Sequence, residues 1–262
     1  MRAVRETYLD RIVAAHRDGA RNDARNLDSL LDEAAAQADP RPFRETLAAA
    51  AGIAVISEVK RRSPSRGDLH PDLDPAALAT AYEAGGASCL SVLTDQDWFG
   101  GSAGDLAAAR AAVSMPVLRK DFTVDPRDVA DARLMGADCV LLIVAVLDDS
   151  ELADFHQLAG ELGLDALVEI HDEAELERAL RIGSRLIGVN QRDLITFEVD
   201  QDRAARLAPL MPAGVVRVAE SGIGDRSDAV SLESVGYDAL LVGETLVTAD
   251  DPALAVRELR GG

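Results

Sequence analysis

The chain predicts an α/β protein, a (β/α)8 TIM barrel with an N-terminal helical extension. Three observations carry this. From Ile53 onward, short β-branched or leucine runs alternate with Ala- and Leu-rich helical stretches, eight times over, at intervals of roughly 20 to 35 residues. The runs are apolar on both faces, as strands of a parallel sheet covered by helices must be. Glycines such as Gly136 and Gly236 close helices just before the next strand, where a left-handed residue is wanted. At 262 residues, about half of them apolar, the chain is the right size for one such barrel.

Residues 1–50 stand outside the repeat. Tyr8, Leu9, Ile12 and Val13 make a narrow apolar stripe, a charged stretch follows from Asn22 to Asp32, and Phe43 and Leu47 precede the first strand. Two or three helices packed over the barrel are expected, within a single domain of residues 1–262. The eight strands are expected at 53–60, 88–93, 116–120, 138–144, 165–170, 186–190, 215–220 and 238–242. Between and after them, helical patterns occupy 75–84, 103–113, 126–135, 150–162, 173–182, 201–210, 226–235 and 252–259.

Active sites of such barrels lie at the C-terminal ends of the strands. Strand one closes with Glu58 and Lys60, whose spacing of two puts both side chains on one face. Lys120 closes strand three, Glu169 strand five, Asn190 and then Arg192 strand six, and Glu220-Ser221 strand seven. Packing does not call for these residues, because charged groups at buried strand ends cost desolvation energy unless paired. The lysines carry a second signal. Of 27 basic side chains only Lys60 and Lys120 are lysine. Lysine can be tuned to give up a proton, whereas arginine stays charged.

A phosphate signal is separate. Ser221, Gly222 and Gly224 follow strand seven, and Gly243 and Glu244 follow strand eight, the two loops that form the recurrent phosphate cradle of these barrels. The loop Ser63-Pro64-Ser65-Arg66-Gly67 after strand one is either a lid or a plain linker, and the Ser63 hydroxyl is a third candidate contact. Phe99 and Phe122 hang from the ends of strands two and three and suit an apolar wall for a flat aromatic ligand.

Composition excludes several classes. A formal charge of -19 argues against nucleic acid or an anionic membrane as partner. An anionic ligand then needs a locally positive site, for which Arg61, Arg62, Arg66 and Arg119 are candidates. No run of apolar residues is long enough to span a membrane, and residues 1–8 lack an apolar signal core, so a cytoplasmic protein is expected. Cys89 and Cys139 lie inside apolar runs and read as buried, inert thiols. His16, His70, His156 and His171 are scattered and are assigned no chemistry. No metal-ligand spacing or dinucleotide fingerprint is present, so no cofactor is expected.

In order along the chain, the motifs closely resemble those of the indole-3-glycerol phosphate synthase family. They include Glu58-Val59-Lys60-Arg61-Arg62-Ser63-Pro64-Ser65, Leu118-Arg119-Lys120-Asp121-Phe122, Val189-Asn190-Gln191-Arg192-Asp193-Leu194 and Ala219-Glu220-Ser221-Gly222, with further segments at 91–95, 136–143 and 167–172. The match runs from about residue 53 to the C-terminus. The resemblance implies closure of the indole ring of 1-(2-carboxyphenylamino)-1-deoxyribulose 5-phosphate with loss of carbon dioxide and water, in tryptophan biosynthesis. That reaction needs an acid on the ketone, assigned to Lys120, an acid for the departing hydroxyl, assigned to Lys60, and a base for the ring proton, Glu169; which lysine acts at which step stays open in the chain. Glu58 would hold Lys60, Asn190 and Glu220 would fix hydroxyls and ammonium groups, and Arg192 would meet the carboxylate or anilino region. Leu141, Leu194 and Leu241 join the expected substrate contacts. Where this chain has Gly243-Glu244, some members have Gly-Ser, and a backbone amide would serve there. The implied partner is an anionic phosphosugar; association with other enzymes of the pathway is not legible in the chain. Two rival readings remain open: another phosphosugar barrel enzyme (an isomerase or a Schiff-base aldolase) and a non-catalytic phosphate-binding barrel.

Overall fold

The computed structural model describes residues 7–262; residues 1–6, on which most of the signal-core reading rests, lie outside the described residues. Eight strands form the barrel: β1 Ala54–Val59, β2 Cys89–Leu93, β3 Val117–Lys120, β4 Cys139–Ile143, β5 Asp165–Ile170, β6 Leu186–Asn190, β7 Val216–Glu220 and β8 Ala239–Val242. They pair in parallel, each with its neighbours in sequence, and β8 returns to β1 to close the ring. Helices α4 (Pro75–Ala84), α6 (Ala103–Ala112), α7 (Pro126–Leu134), α8 (Asp149–Glu161), α9 (Glu173–Arg181), α10 (Arg203–Leu207), α11 (Arg226–Ser234) and α13 (Pro252–Arg260) surround it.

Period-two alternation sorts each strand. Outward residues such as Val55, Leu90, Val117 and Val140 pack beneath the helices. Inward residues, among them Ala54, Ile56, Leu118, Cys139, Leu141 and Leu167, fill the barrel. The inward file of β1 runs Ala54, Ile56, Glu58 and that of β3 runs Leu118, Lys120, so apolar residues fill the lower barrel and polar ones arrive at the mouth. Asp74, Asp125, Asp148, Asp172, Asp225 and Asp251 cap the starts of six barrel helices through their carboxylates. Each such cap stabilises its helix by about 1 kcal/mol. Helix starts follow strand ends, so part of the acidic excess is anchored around the mouth.

The N-terminal segment wraps the barrel from mouth to floor. Helix α1 (Tyr8–Asn22) begins with a Thr7–Asp10 capping box and lies beside the mouth, where the Tyr8 ring meets Trp98 at 5.0 Å and Phe197 at 5.6 Å. Helix α2 (Leu27–Ala35) packs on α7. Helix α3 (Phe43–Ala48) plugs the floor with Phe43 and Leu47, both buried. Asp138 and Asp165, at the starts of β4 and β5, accept the backbone N–H groups of Arg41 at 2.7 Å and Arg44 at 2.8 Å and so hold the plug in place. Removing the Phe43 ring would cost about 3–5 kcal/mol.

Three features depart from expectation. The helix expected over 201–210 is α10 followed by a 3-10 turn, Ala208–Leu210, because Pro209 cannot donate the next helical hydrogen bond. The loop after β1 folds into a small antiparallel hairpin, Arg62–Ser63 with Gly67–Asp68. A one-turn helix, α5 (Gln96–Phe99), follows β2 and is capped by Asp95. Cys89 and Cys139 are buried free thiols, pushed well above the ordinary cysteine range by burial. Among the described residues no helix is long and apolar enough to cross a membrane.

Candidate active site

A cavity of about 760 Å³ opens at the C-terminal ends of the strands. Parallel register makes the convergence there. Glu58 pairs with Ser91, Lys120 with Leu93, Ile143 with Glu169, Glu169 with Gly188, and Asn190 with Glu220, so inward side chains from neighbouring strands arrive at similar heights.

Two ammonium groups organise the charge. Lys60 Nζ lies 2.5 Å from Glu58 Oε1, and Ser91 donates to Glu58 Oε2 at 3.4 Å. Lys120 Nζ stands between Glu169 Oε2 at 3.2 Å and Glu220 Oε2 at 3.4 Å. Asn190 Nδ2 donates to Glu169 Oε1 at 3.1 Å. Burial works against the charges of Glu58, Lys120, Glu169 and Glu220. At Lys120 it is outweighed by Glu169, Glu220 and Glu58, which hold the ammonium above the ordinary lysine range. At Glu58 it is outweighed by Lys60 and Lys120, and at Glu169 by Lys120, His171 and Asn190, so both carboxyls stay below the usual range. At Glu220 burial wins. With Glu169 and Glu58 reinforcing it against Lys120, its carboxyl is pushed up to about 8. Of the three carboxyls, Glu220 is therefore the one that most readily takes a proton.

Glycine makes two close approaches possible. A Cβ on Gly188 would sit 2.1 Å from Glu220 Oε1, and one on Gly243 would sit 2.3 Å from Glu58 Oε1 and 2.9 Å from Lys60 Nζ. The backbone after β8 thus passes directly over the Lys60–Glu58 pair. Ser221 and Gly222 both take positive φ, 67° and 73°, in the turn after β7, and Thr245 Oγ1 donates to the Ile223 carbonyl at 2.7 Å, tying the two loops together. On the β1 side, Arg66 Nε meets Glu244 Oε1 at 3.0 Å.

The cavity wall includes every residue singled out at the strand ends and loops: Glu58, Lys60, Lys120, Glu169, Asn190 and Glu220, with Ser63, Phe99, Phe122, Leu141, Arg192, Leu194, Ser221, Gly222, Leu241, Gly243 and Glu244. Phe99 and Phe122 lie 6.5 Å apart at 37° on one side. Arg192 donates to the Phe197 carbonyl at 2.9 Å. Of the four arginines expected to supply a local field, only Arg66 lines the cavity. Arg61 is paired with Asp105, Arg62 is bound to the Gln96 and Asp97 carbonyls, and Arg119 points outward to Asp121, because its neighbour Lys120 takes the inward position. Sequence reading missed His171, whose Nε2 stands 3.6 Å from Glu169 Oε1.

One trio could share a cation: the donor atoms of His16, Asp95 and Asp121 lie within 4.8 Å of one another. They are already satisfied. His16 Nε2 is 2.9 Å from Asp95 Oδ2, and Arg119 is 3.0 Å from Asp121 Oδ2. The trio is the contact that docks α1 beside the mouth.

The sequence model of the indole-3-glycerol phosphate synthase family matches residues 9–259. The chain belongs to that family. An indole-3-glycerol phosphate synthase of Nocardioides sp. is 53% identical over 97% of this chain and 98% of its own length. Those of Leifsonia xyli and Mycobacteroides abscessus are 51% and 49% identical, covering 98% and 97% of this chain and 98% and 93% of their own. Solved structures share the barrel at low identity. A thiamine phosphate pyrophosphorylase from Pyrococcus furiosus superposes with a TM-score of 0.60 at 17% identity, over 84% of this chain and 96% of its own. A 3-hexulose-6-phosphate synthase gives 0.60 at 16%, over 79% and 98%. Membership of the indole-3-glycerol phosphate synthase family thus rests on near-full-length identity, and the barrel likeness adds the fold.

Proposed function

We propose that this barrel closes the indole ring of 1-(2-carboxyphenylamino)-1-deoxyribulose 5-phosphate, releasing carbon dioxide and water, with the two lysines dividing the acid chemistry. The observation that carries this reading is the pair of half-buried lysine ammonium groups, each beside carboxyl groups, opening on one partly apolar cavity. Lys120 hydrogen-bonds the ketone oxygen. As the ring carbon bearing the carboxylate attacks, that oxygen becomes an alkoxide far more basic than an amine, and the Lys120 proton passes to it. The carboxylate then leaves as carbon dioxide, and its bonding electrons restore the aromatic ring. Lys60, oriented by Glu58, protonates the new hydroxyl so that it departs as water. Glu169 takes the proton whose loss completes the indole. Asn190 and Glu220 hold substrate hydroxyls and Lys120, while Arg192 meets the substrate carboxylate.

Phe99 and Phe122 would flank the anilino ring, with Leu141, Leu194 and Leu241 completing the apolar surface. The phosphate is assigned to the opposite side, against the backbone amides around Ser221, Gly222 and Gly243 and the Ser63 hydroxyl. Arg66 is the side-chain cation on that side, so an incoming phosphate competes with Glu244 for it. Residues 1–50 are read as part of the same domain, since the helices described there pack beside the mouth and close the floor.

The direct test is appearance of indole absorbance or fluorescence from the carboxyphenylamino substrate, with inorganic phosphate acting as a competitive inhibitor. Borohydride added with substrate should trap no covalent adduct. Trapping on either lysine would favour a Schiff-base aldolase instead.

A further inference from the structure

Behind Glu169 stands a group that the mechanism above does not use. His171 follows β5 by one residue. Its Nε2 lies 3.6 Å from Glu169 Oε1, is shut off from solvent and makes no hydrogen bond. Its Nδ1 is held 3.0 Å from Glu175 Oε2, and the same oxygen accepts the His171 backbone N–H at 2.7 Å. Glu175 is fixed in turn: it lies in the first turn of α9, and its backbone N–H is capped by Asp172 at 2.9 Å. One ring nitrogen is thus locked by a helix-borne carboxylate, and the other is aimed at Glu169 with no competing partner. A buried ring nitrogen without a hydrogen bond is costly for packing alone, so a purely structural imidazole would be expected to find a second partner.

Resting on the reading of Glu169 as the base, we infer that His171, anchored by Glu175, is a positioning residue that keeps Glu169 ionised and oriented so that the enzyme works on the acid side of neutrality. The charged groups facing the imidazole are Glu169 from β5, Glu175 from α9 and Arg203 from α10. Burial and Arg203 oppose the imidazolium, but the two carboxylates outweigh them and raise its pKa above the ordinary value. In acid the ring is therefore a cation beside the base. A neighbouring cation favours the carboxylate, so removing it lifts the Glu169 pKa and moves the acid limb of kcat/KM to higher pH.

The test is the pH profile of kcat/KM for the full chain from about pH 4 to about pH 8, in which the acid limb reports the free enzyme's essential base. His171→Asn should shift that limb upward by about one unit, roughly a tenfold loss on the acid side, with a much smaller change near neutrality. Glu175→Gln leaves the ring in place but weakens the imidazolium, and should shift the limb the same way by less. His171→Lys, which restores a cation, should bring the limb back toward wild type. An acid limb in His171→Asn that coincides with wild type, at unchanged melting temperature, overturns the inference. If His171→Asn does not fold, an unmoved limb in Glu175→Gln does the same. Glu169→Gln separates this from the underlying reading. A fully active Glu169→Gln removes Glu169 as the base, whereas an inactive Glu169→Gln with unmoved His171→Asn and Glu175→Gln limbs removes only the role of His171.

Discussion

Two buried charged clusters sit side by side at the top of this barrel, and they differ in one respect. In the first, Asp121 accepts from Thr94, Arg119 and its neighbour's backbone N–H, His16 is bound to Asp95, and Arg119 also reaches the Asp128 carbonyl at 2.8 Å. None of its buried polar atoms lacks a partner. In the second, both Glu220 oxygens and His171 Nε2 are buried without a hydrogen bond, and Lys120 leans on carboxylates at 3.2 and 3.4 Å. The first cluster is complete without a ligand and ties α1 to the barrel. Asp95 and Asp121 reach the wall of the same cavity as Glu169 and Glu220, so access to it does not separate the clusters. Charge density does not distinguish them either; unmet hydrogen-bonding capacity does.

Substitutions in the two clusters should therefore fail in different ways. The largest effect is expected from Lys120→Arg, which keeps the charge but not a transferable proton: turnover should fall by about 10²-fold or more, with little change in melting temperature. Near-wild-type turnover would reduce Lys120 to an anchor for anions. Next comes Gly243→Ala, whose methyl would have to displace the Lys60–Glu58 pair. A loss of about ten- to a hundredfold in kcat is expected, the scale on which misplaced catalytic groups act, and an unperturbed rate would mean that the pair's geometry does not matter. Glu220→Gln replaces the carboxyl whose pKa burial raises furthest with a neutral isostere. It should cost less than about tenfold at pH 7. A much larger loss there would show that the ionised carboxylate is the working form.

The satisfied cluster should respond in stability instead. His16→Ala removes a charge-assisted bond and should lower stability by about 1–3 kcal/mol, or several degrees in Tm, while kcat stays within about twofold. Comparable activity loss would erase the distinction between the clusters. The smallest effect is the pH dependence of that same bond. The pKa of His16 is raised, because Asp95 and Asp121 outweigh burial, so its contribution is complete below the unfolded histidine value and fades as pH climbs through the folded one. The Asp95 carboxyl is lowered against burial by His16 and the Trp98 N–H, so the bond fades again as pH falls through that depressed value. Melting curves across both limits should show the optimum between them in wild type and lose the alkaline shoulder in His16→Ala.

The barrel and most of the mouth were legible in the chain because both depend on short apolar runs that recur eight times and on what sits at the ends of those runs. Strand limits such as Ala54–Val59 and Leu186–Asn190 fall within a residue or so of the runs at 53–60 and 186–190. What escaped lacks periodicity. The helix Gln96–Phe99 is one turn long, and each hairpin strand after β1 has only two residues. Arg119, a candidate for the local positive field, turns to Asp121 because alternation gives the inward position to Lys120. Glu169 and His171 have the same spacing as Glu58 and Lys60, but a histidine among four scattered ones shows no partner in the chain. Glu175, four residues further on and across a strand-to-helix turn, supplies that partner in three dimensions.

The floor plug also bears on how the chain reaches this state. Helix α3 touches both β2 and β7, and β1, which follows it, is finished only when β8 pairs along its other edge. Phe43 and Leu47 are made before any barrel strand, yet their socket does not exist until nearly the last strand has arrived. Pairings between such distant segments slow folding, and until closure two large apolar side chains stay uncovered and open to aggregation. The residues that seal the bottom of the barrel leave the ribosome before every barrel strand and are among the last to find their place.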